Sequence, residues 1–186
     1  KESFYQLLLA LQQQQNDLSG SAELLELLLK QTPNKKDHWQ MLMGLYLQLG
    51  EKVKEKDPTL AREYLVRAIL TAERAQKLNF LNTPKDNMNL VSLYLLANQF
   101  TKGTELLYNG MKGGTIESLP HNWRILGRYY QEANMNAEAV KVLQEATKIF
   151  PTNGELEVQI AQIYLQMEKT KEAFTHAKAA MTKGNL

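Results

Sequence analysis

The chain contains no cysteine. Disulfide scaffolds, thiolate metal sites and cysteine nucleophiles are thereby excluded. The compartment stays open, because a disulfide-free protein can occupy the cytoplasm or the periplasm. Charge of one sign is equally scarce: 22 basic residues face 20 acidic ones, a formal net charge of +2. That balance gives no electrostatic case for nucleic acid as the main ligand. No apolar run approaches the ~18 residues that a membrane span requires. Neither a G-x-x-x-x-G-K-[ST] phosphate loop, nor H-E-x-x-H, nor G-x-S-x-G occurs. The three histidines, His38, His121 and His176, are widely separated and have no carboxylates at ligand spacing. No metal or cofactor is therefore expected, and an enzyme is disfavoured. The first residue is Lys1 rather than Met, which points to a processed or excised piece with any signal peptide upstream of it.

What the chain does have is a repeat. Residues 123 to 151 give its clearest unit: Trp123, Leu126, Gly127 and Tyr130, then Ala139, Leu143 and Ala146, closing at Pro151. Trp123, Leu126 and Tyr130 fall on one face of a first helix. Small residues at Gly127 and Ala139 let a second helix approach closely, and Pro151 cannot continue it. A shift of 34 residues lands on Glu157, Ile160, Ala161 and Tyr164, then Ala173, Ala177 and Ala180. In the other direction, after a step of 36 residues, Asn87, Leu90, Val91 and Tyr94 precede Gly103, Leu107 and Gly110, the spare pair sitting near Gly113-Gly114. Trp39, Leu42, Met43 and Tyr46 open an earlier unit, whose small residues Ala68, Ala72 and Ala75 arrive 13 residues late. The charged insertion responsible is Glu51 to Glu63. Tyr5, Leu8, Leu9, Leu25, Leu28 and Pro33 fit a degenerate first unit.

Local signals agree with ten helices and no strand. Asp57-Pro58 and Thr83-Pro84 each read as a capping residue followed by proline at the first helical position. Asn136 and Thr170 stand where a side-chain oxygen could cap a second helix. Gly110, Gly113 and Gly114 read as a helix stop, and Gln12 to Gln15 as the polar end of a first helix. Glu23 and Glu26 read as a solvated face rather than an acid–base pair. The tryptophans and the series Tyr46, Tyr94, Tyr130 and Tyr164 read as inter-helix packing. No single hairpin can bury its own apolar face, so stacking must supply the core.

This pattern resembles the tetratricopeptide repeat (TPR) family over the whole chain, with Leu143 where an aromatic is more usual. The resemblance implies an all-α, right-handed superhelical solenoid of about five hairpins spanning 1–186. Its units run near 2–35, 36–83 (insertion near 51–63), 84–119, 120–153 and 154–186. A narrower likeness exists to periplasmic TPR proteins associated with TonB–ExbB–ExbD energy-transducing systems. It rests on the run RAILTAERAQKLNFLN from Arg67 to Asn82, on Leu90-Val91-Ser92-Leu93, on Gly110 to Gly114, and on the closing Lys183-Gly184-Asn185-Leu186. The 13-residue insertion departs from that pattern. The likeness implies a periplasmic accessory or scaffolding factor; without it, the cytoplasm is the expectation.

In TPR solenoids the first helices line a concave groove, and positions one and five residues after the Trp-equivalent point into it. Here those are Gln40 and Gly44, Met88 and Ser92, Arg124 and Arg128, and Val158 and Gln162. Arg124 and Arg128, one helical turn apart, could share a carboxylate. The expected partner is therefore a protein or peptide, an acidic or carboxyl-terminal segment in particular. Lys and Asn do not stand where chaperone-clamping TPR domains use them. Two readings follow: an adaptor or scaffold, beside an envelope transport complex if the narrower likeness holds, or a peptide-sensing regulatory domain coupled to a separate effector. Far-ultraviolet circular dichroism should show a strongly helical chain with negligible sheet; substantial strand content would refute the repeat register.

Overall fold

The computed structural model describes residues 2–184. Lys1 and the Asn185-Leu186 that closes the last of the cited runs lie outside the described residues. Ten helices and no strand are found among those described, as the repeat register predicts. They fall into two compact units, Lys1–Ala97 and Asn98–Leu186.

The first unit holds α1 (Glu2–Gln14), α2 (Leu18–Gln31), α3 (Lys36–Val53), α4 (Pro58–Lys77) and α5 (Pro84–Leu96), each packed on the next. Its core is built from Leu25 and Leu28 of α2, Trp39, Leu42 and Tyr46 of α3, and Ala68 and Ala75 of α4. The Trp39 indole donates to the Pro33 carbonyl at 2.7 Å, so its one polar atom is satisfied inside the core. The insertion lengthens both helices of its hairpin: α3 has 18 residues and α4 has 20, against 13 or 14 for every other helix. Pro58 opens α4, and the Asp57 carboxylate accepts the Leu60 amide at 2.9 Å. Thr83 caps α5 through a reciprocal box with Asp86.

The second unit holds α6 (Phe100–Gly113), α7 (Pro120–Glu132), α8 (Asn136–Ile149), α9 (Gly154–Gln166) and α10 (Thr170–Lys183). Trp123 is fully buried. Its indole donates to the Ser118 hydroxyl at 3.0 Å, and the ring meets Tyr108 edge-on. A methyl group on Gly127 would lie 2.8 Å from Leu143. The hairpin α7–α8 therefore closes as tightly as the small-residue pattern predicts. Gly110 serves a different contact, since its missing side chain is replaced by buried Ile116, which folds back after the left-handed Gly114 ends α6.

Three readings need correction. Asn136 and Thr170 are the first residues of α8 and α10, not their caps; Met135 and Lys169 precede them without a side-chain bond. The turns are made instead by left-handed residues two positions earlier, Asn134 and Glu168, with Asn16 and Asn98 in the same register. Asparagine tolerates that conformation better than most residues, which explains its recurrence. Secondly, Glu26 is not merely solvated: it accepts the Tyr46 hydroxyl. Thirdly, Tyr130 and Tyr164 are only half-buried, whereas Tyr46 and Tyr94 are core.

Three of the four, Tyr46, Tyr94 and Tyr164, nonetheless share one role. Tyr46 donates to Glu26 and Tyr94 to Glu73 at 2.7 Å, while the Gln144 amide reaches the Tyr164 hydroxyl at 3.5 Å. Each bond runs from a second helix to the first helix of the following hairpin. Burial, reinforced by the Glu26 carboxylate, pushes the Tyr46 hydroxyl up to about 12, so it stays a proton donor throughout the neutral range. Replacing Trp123 by Ala should destabilise the second unit by ~3–5 kcal/mol; an unchanged melting temperature would show that the ring is not a packing element.

Candidate functional site

Four of the eight expected groove residues come together in the second unit. Helices α7 and α9 pack side by side and enclose an open cleft of about 470 Å³. Arg124 and Arg128 line it from α7, Val158 and Gln162 from α9. Trp123 anchors α7 in the core, so its neighbour Arg124 and the residue one turn on, Arg128, are turned outward. On α9, Asn153 caps the helix by accepting the Leu156 amide at 3.1 Å, which fixes its first turn beside Arg124.

Arg124 is not the free anchor that its spacing suggests. Its Nη1 donates to Glu155 Oε2 at 2.5 Å, and its backbone carbonyl accepts Gln159 Nε2 at 3.0 Å. Both members of the ion pair are about 40% exposed, so solvent screening leaves the pair a modest contribution, well under ~1 kcal/mol. Arg124 Nε and Gln159 Oε1 are shut off from solvent and have no hydrogen-bond partner. Arg128 is exposed, lies over the Tyr129 ring at 5.3 Å, and forms no ion pair among the described residues. It is the cation that remains available. Gln131 bridges to Gln166 at 3.0 Å, so carboxamides border the cleft as well.

The other four residues belong to the first unit. Gln40 donates to Asp86 at 3.3 Å, beside a Lys36–Asp86 ion pair at 3.0 Å. It thus helps hold α3 to the first turn of α5. Burial would raise the Asp86 carboxyl, but Thr83 and Lys36 outweigh it and hold the group below its ordinary value. Gly44 lines a separate hollow with Gln13, Met41 and Gln48, and nothing would meet a side chain added there. Ser92 donates to the Met88 carbonyl of its own helix at 3.0 Å, and Met88 is half-buried.

Sequence reasoning passed over Glu155 and Gln159. The signal was present: Glu155 stands 31 residues after Arg124 in a 34-residue repeat, about one turn early on the neighbouring first helix. It also passed over what replaces the lost tryptophan of the last hairpin. Glu157 occupies that position, is buried, and accepts His176 Nδ1 and Lys183 Nζ, both at 2.6 Å. The His176 ring stacks on Tyr164. Among the described residues no group of three His, Cys, Asp or Glu side chains is placed to hold a metal ion, and no helix is long and apolar enough to cross a membrane.

No protein-family model matches the chain, and no curated protein is similar to it in sequence. Solved structures are similar in fold. The chain shares its fold with MamA, a TPR-repeat protein. A crystal structure of MamA superposes with a TM-score of 0.61 at 16% identity, over 97% of this chain and 90% of that one. MamA from Desulfovibrio magneticus RS-1, residue 41 to the end, gives 0.58 at 13% identity over 97% and 93%. MamA of MSR-1 gives 0.54 at 19% over 97% and 95%. At these identities the likeness establishes an all-α fold of sequential TPR-like hairpins.

Glu157 generates a pH prediction. Burial pushes its carboxyl upward, but His176 and Lys183 more than compensate and leave it below its ordinary 4.5. A depressed folded-state value means that the stabilisation is complete above the unfolded value and is lost as pH falls through the folded one. Thermal stability should therefore decline below about pH 4.5, and Glu157→Gln should flatten that limb of the melting-temperature profile. An identical acid limb in the variant would remove Glu157 from the account.

Proposed function

We propose that the chain is a protein-interaction adaptor that holds an acidic or carboxyl-terminated segment of a partner in the α7–α9 cleft. The single observation that carries this reading is the exposed, unpaired Arg128 in a cleft bordered by Gln131, Gln159 and Gln162. A guanidinium offers a fork of donors to a carboxylate. A carboxamide offers N–H donors and a carbonyl acceptor, which complement the C=O and N–H of a peptide group. Arg124 contributes by exchanging Glu155 for the incoming carboxylate. Met88 and Ser92 belong to this reading as flanking contacts from the register alone. The partner's membership of an envelope complex of the TonB type, and with it a periplasmic location, rests on the short sequence runs named above.

The test is to recover a partner with the intact chain and titrate it against variants. Arg128→Ala should weaken binding about tenfold, as loss of one charge-assisted contact does. Arg124→Ala should cost less, because that cation already has Glu155. Affinity should fall with added salt, and neither variant should lower the melting temperature. Unchanged affinity in the double variant would remove the partner from this cleft.

A further inference from the structure

A second cleft lies wholly within the first unit, on a face that the groove reading does not use. It has a volume of about 240 Å³ and is bounded by Lys30 of α2 and by Arg67, Leu70 and Arg74 of α4, over a floor that includes Leu42 and Trp39 of α3. Its chemistry is one-sided. Three cations border it, and the only acid, Glu26, is already taken by the Tyr46 hydroxyl. None of the three cations forms an ion pair among the described residues.

The two arginines are held in place by aromatic rings rather than left to swing. Arg67 lies 5.9 Å from both the Tyr46 and the Tyr64 ring, and Arg74 lies 5.9 Å from Trp39. Such contacts orient a guanidinium; Arg67 also reaches the Tyr46 hydroxyl, which leaves the rest of its donor fork and that of Arg74 for a ligand. Arg67 and Arg74 are seven residues apart on one helix, ~10.5 Å along its axis. Between them Leu70 is 56% exposed, an apolar side chain presented beside two charges.

The fold does not require this arrangement. With the buried Ala68 and Ala75 set against Ala139 and Ala146, the positions of Arg67 and Arg74 correspond to Glu138 and Glu145 of α8. In α10 they correspond to Glu172 and Ala179. In α6, set by Gly103 and Gly110, they correspond to Lys102 and Asn109, so no other of these second helices carries two cations there and packing does not account for the pair.

We propose that this α2–α4 cleft is a second docking site, for an acidic segment of a protein partner in which two carboxylates ~10 Å apart flank an apolar side chain. The carboxylates pair with Arg67 and Arg74, with Lys30 adding attraction from the other wall, and the apolar side chain settles against Leu70 and Leu42. Charge complementarity selects the occupant, and the preset guanidinium positions lower the ordering cost of binding. The site is independent of the α7–α9 cleft and stands whether or not that reading holds.

The experiment uses the whole chain and a fluorescein-labelled synthetic helical peptide bearing two glutamates seven residues apart with leucine between them, followed by anisotropy. Counterparts carry glutamine or lysine in place of both glutamates. The glutamate peptide should bind, the glutamine peptide at least ~tenfold more weakly and the lysine peptide not at all. Arg67→Gln with Arg74→Gln should lower affinity for the glutamate peptide by ~tenfold or more, as should Leu70→Glu. Arg67→Lys with Arg74→Lys should retain part of it, and Lys148→Ala, an exposed position that lines neither cleft, all of it. Circular dichroism and melting curves accompany each variant, and Leu70→Glu carries the test if the double glutamine variant fails to fold. Equal binding of the glutamate and glutamine peptides, no binding of the glutamate peptide, or unchanged affinity in the cleft variants would overturn the proposal. Loss of binding in Arg128→Ala alone would overturn it too, while supporting the other cleft. Binding to phosphatidylserine vesicles that the peptide fails to displace would also overturn it, in favour of a lipid surface.

Discussion

The distance of closest approach between two paired helices is the constraint on which the rest of the second unit depends. Leu143 occupies the space that a side chain on Gly127 would need. That approach draws α8 against α7 and lets Trp123, Leu126, Ala139 and Ala146 be wholly buried around it. A burial of this kind fixes the rotation of α7 about its axis. Once the rotation is fixed, Arg124 and Arg128 can only be on the side away from the core. The position of the candidate groove is thus a by-product of packing chemistry a few ångströms away.

Hydrogen bonds from hairpin to hairpin add direction to what apolar packing alone would leave loosely specified. The tyrosine of a first helix reaches back to a carboxylate or carboxamide on the preceding second helix. Where the series changes, it changes consistently. Tyr108 holds the position that corresponds to Glu26, Glu73 and Gln144, and there the tyrosine is the donor to Glu145 of α8, with Lys112 on the other oxygen at 2.6 Å. Tyr108 is only half-buried, so the swap of residue type is met by a swap of partner, Glu145, rather than by a loss of the bond.

Fold was legible because steric requirements repeat. A tryptophan, a glycine and an alanine at fixed intervals need no partner identities to be understood, and Pro58 and Thr83 announce helix starts by local chemistry alone. The left-handed turns were less legible: Asn98 and Asn134 carry the signal, but Glu168 holds the same conformation without a residue type that advertises it. The candidate site was half legible. The register placed Arg124, Arg128, Val158 and Gln162 on facing helices. It could not tell that Arg124 would be claimed by Glu155, because that pairing depends on how far one helix is displaced along its neighbour. The arginines of α4 were invisible as a site for a related reason: their meaning appears only when α2 stands opposite and Trp39, Tyr46 and Tyr64 lie beneath.

The last helix is attached differently from the others. Its buried residues are only Ala173 and Ala180, while Phe174 and Met181 face outward. What ties it to α9 includes the clasp of Glu157 with His176 and Lys183, which stands where two earlier hairpins have the indoles of Trp39 and Trp123. The clasp is a set of hydrogen bonds between charged groups, and it is lost when the carboxylate is protonated. Local opening at α10 should therefore be acid-sensitive in a way that opening of the indole-centred hairpin α7–α8 is not.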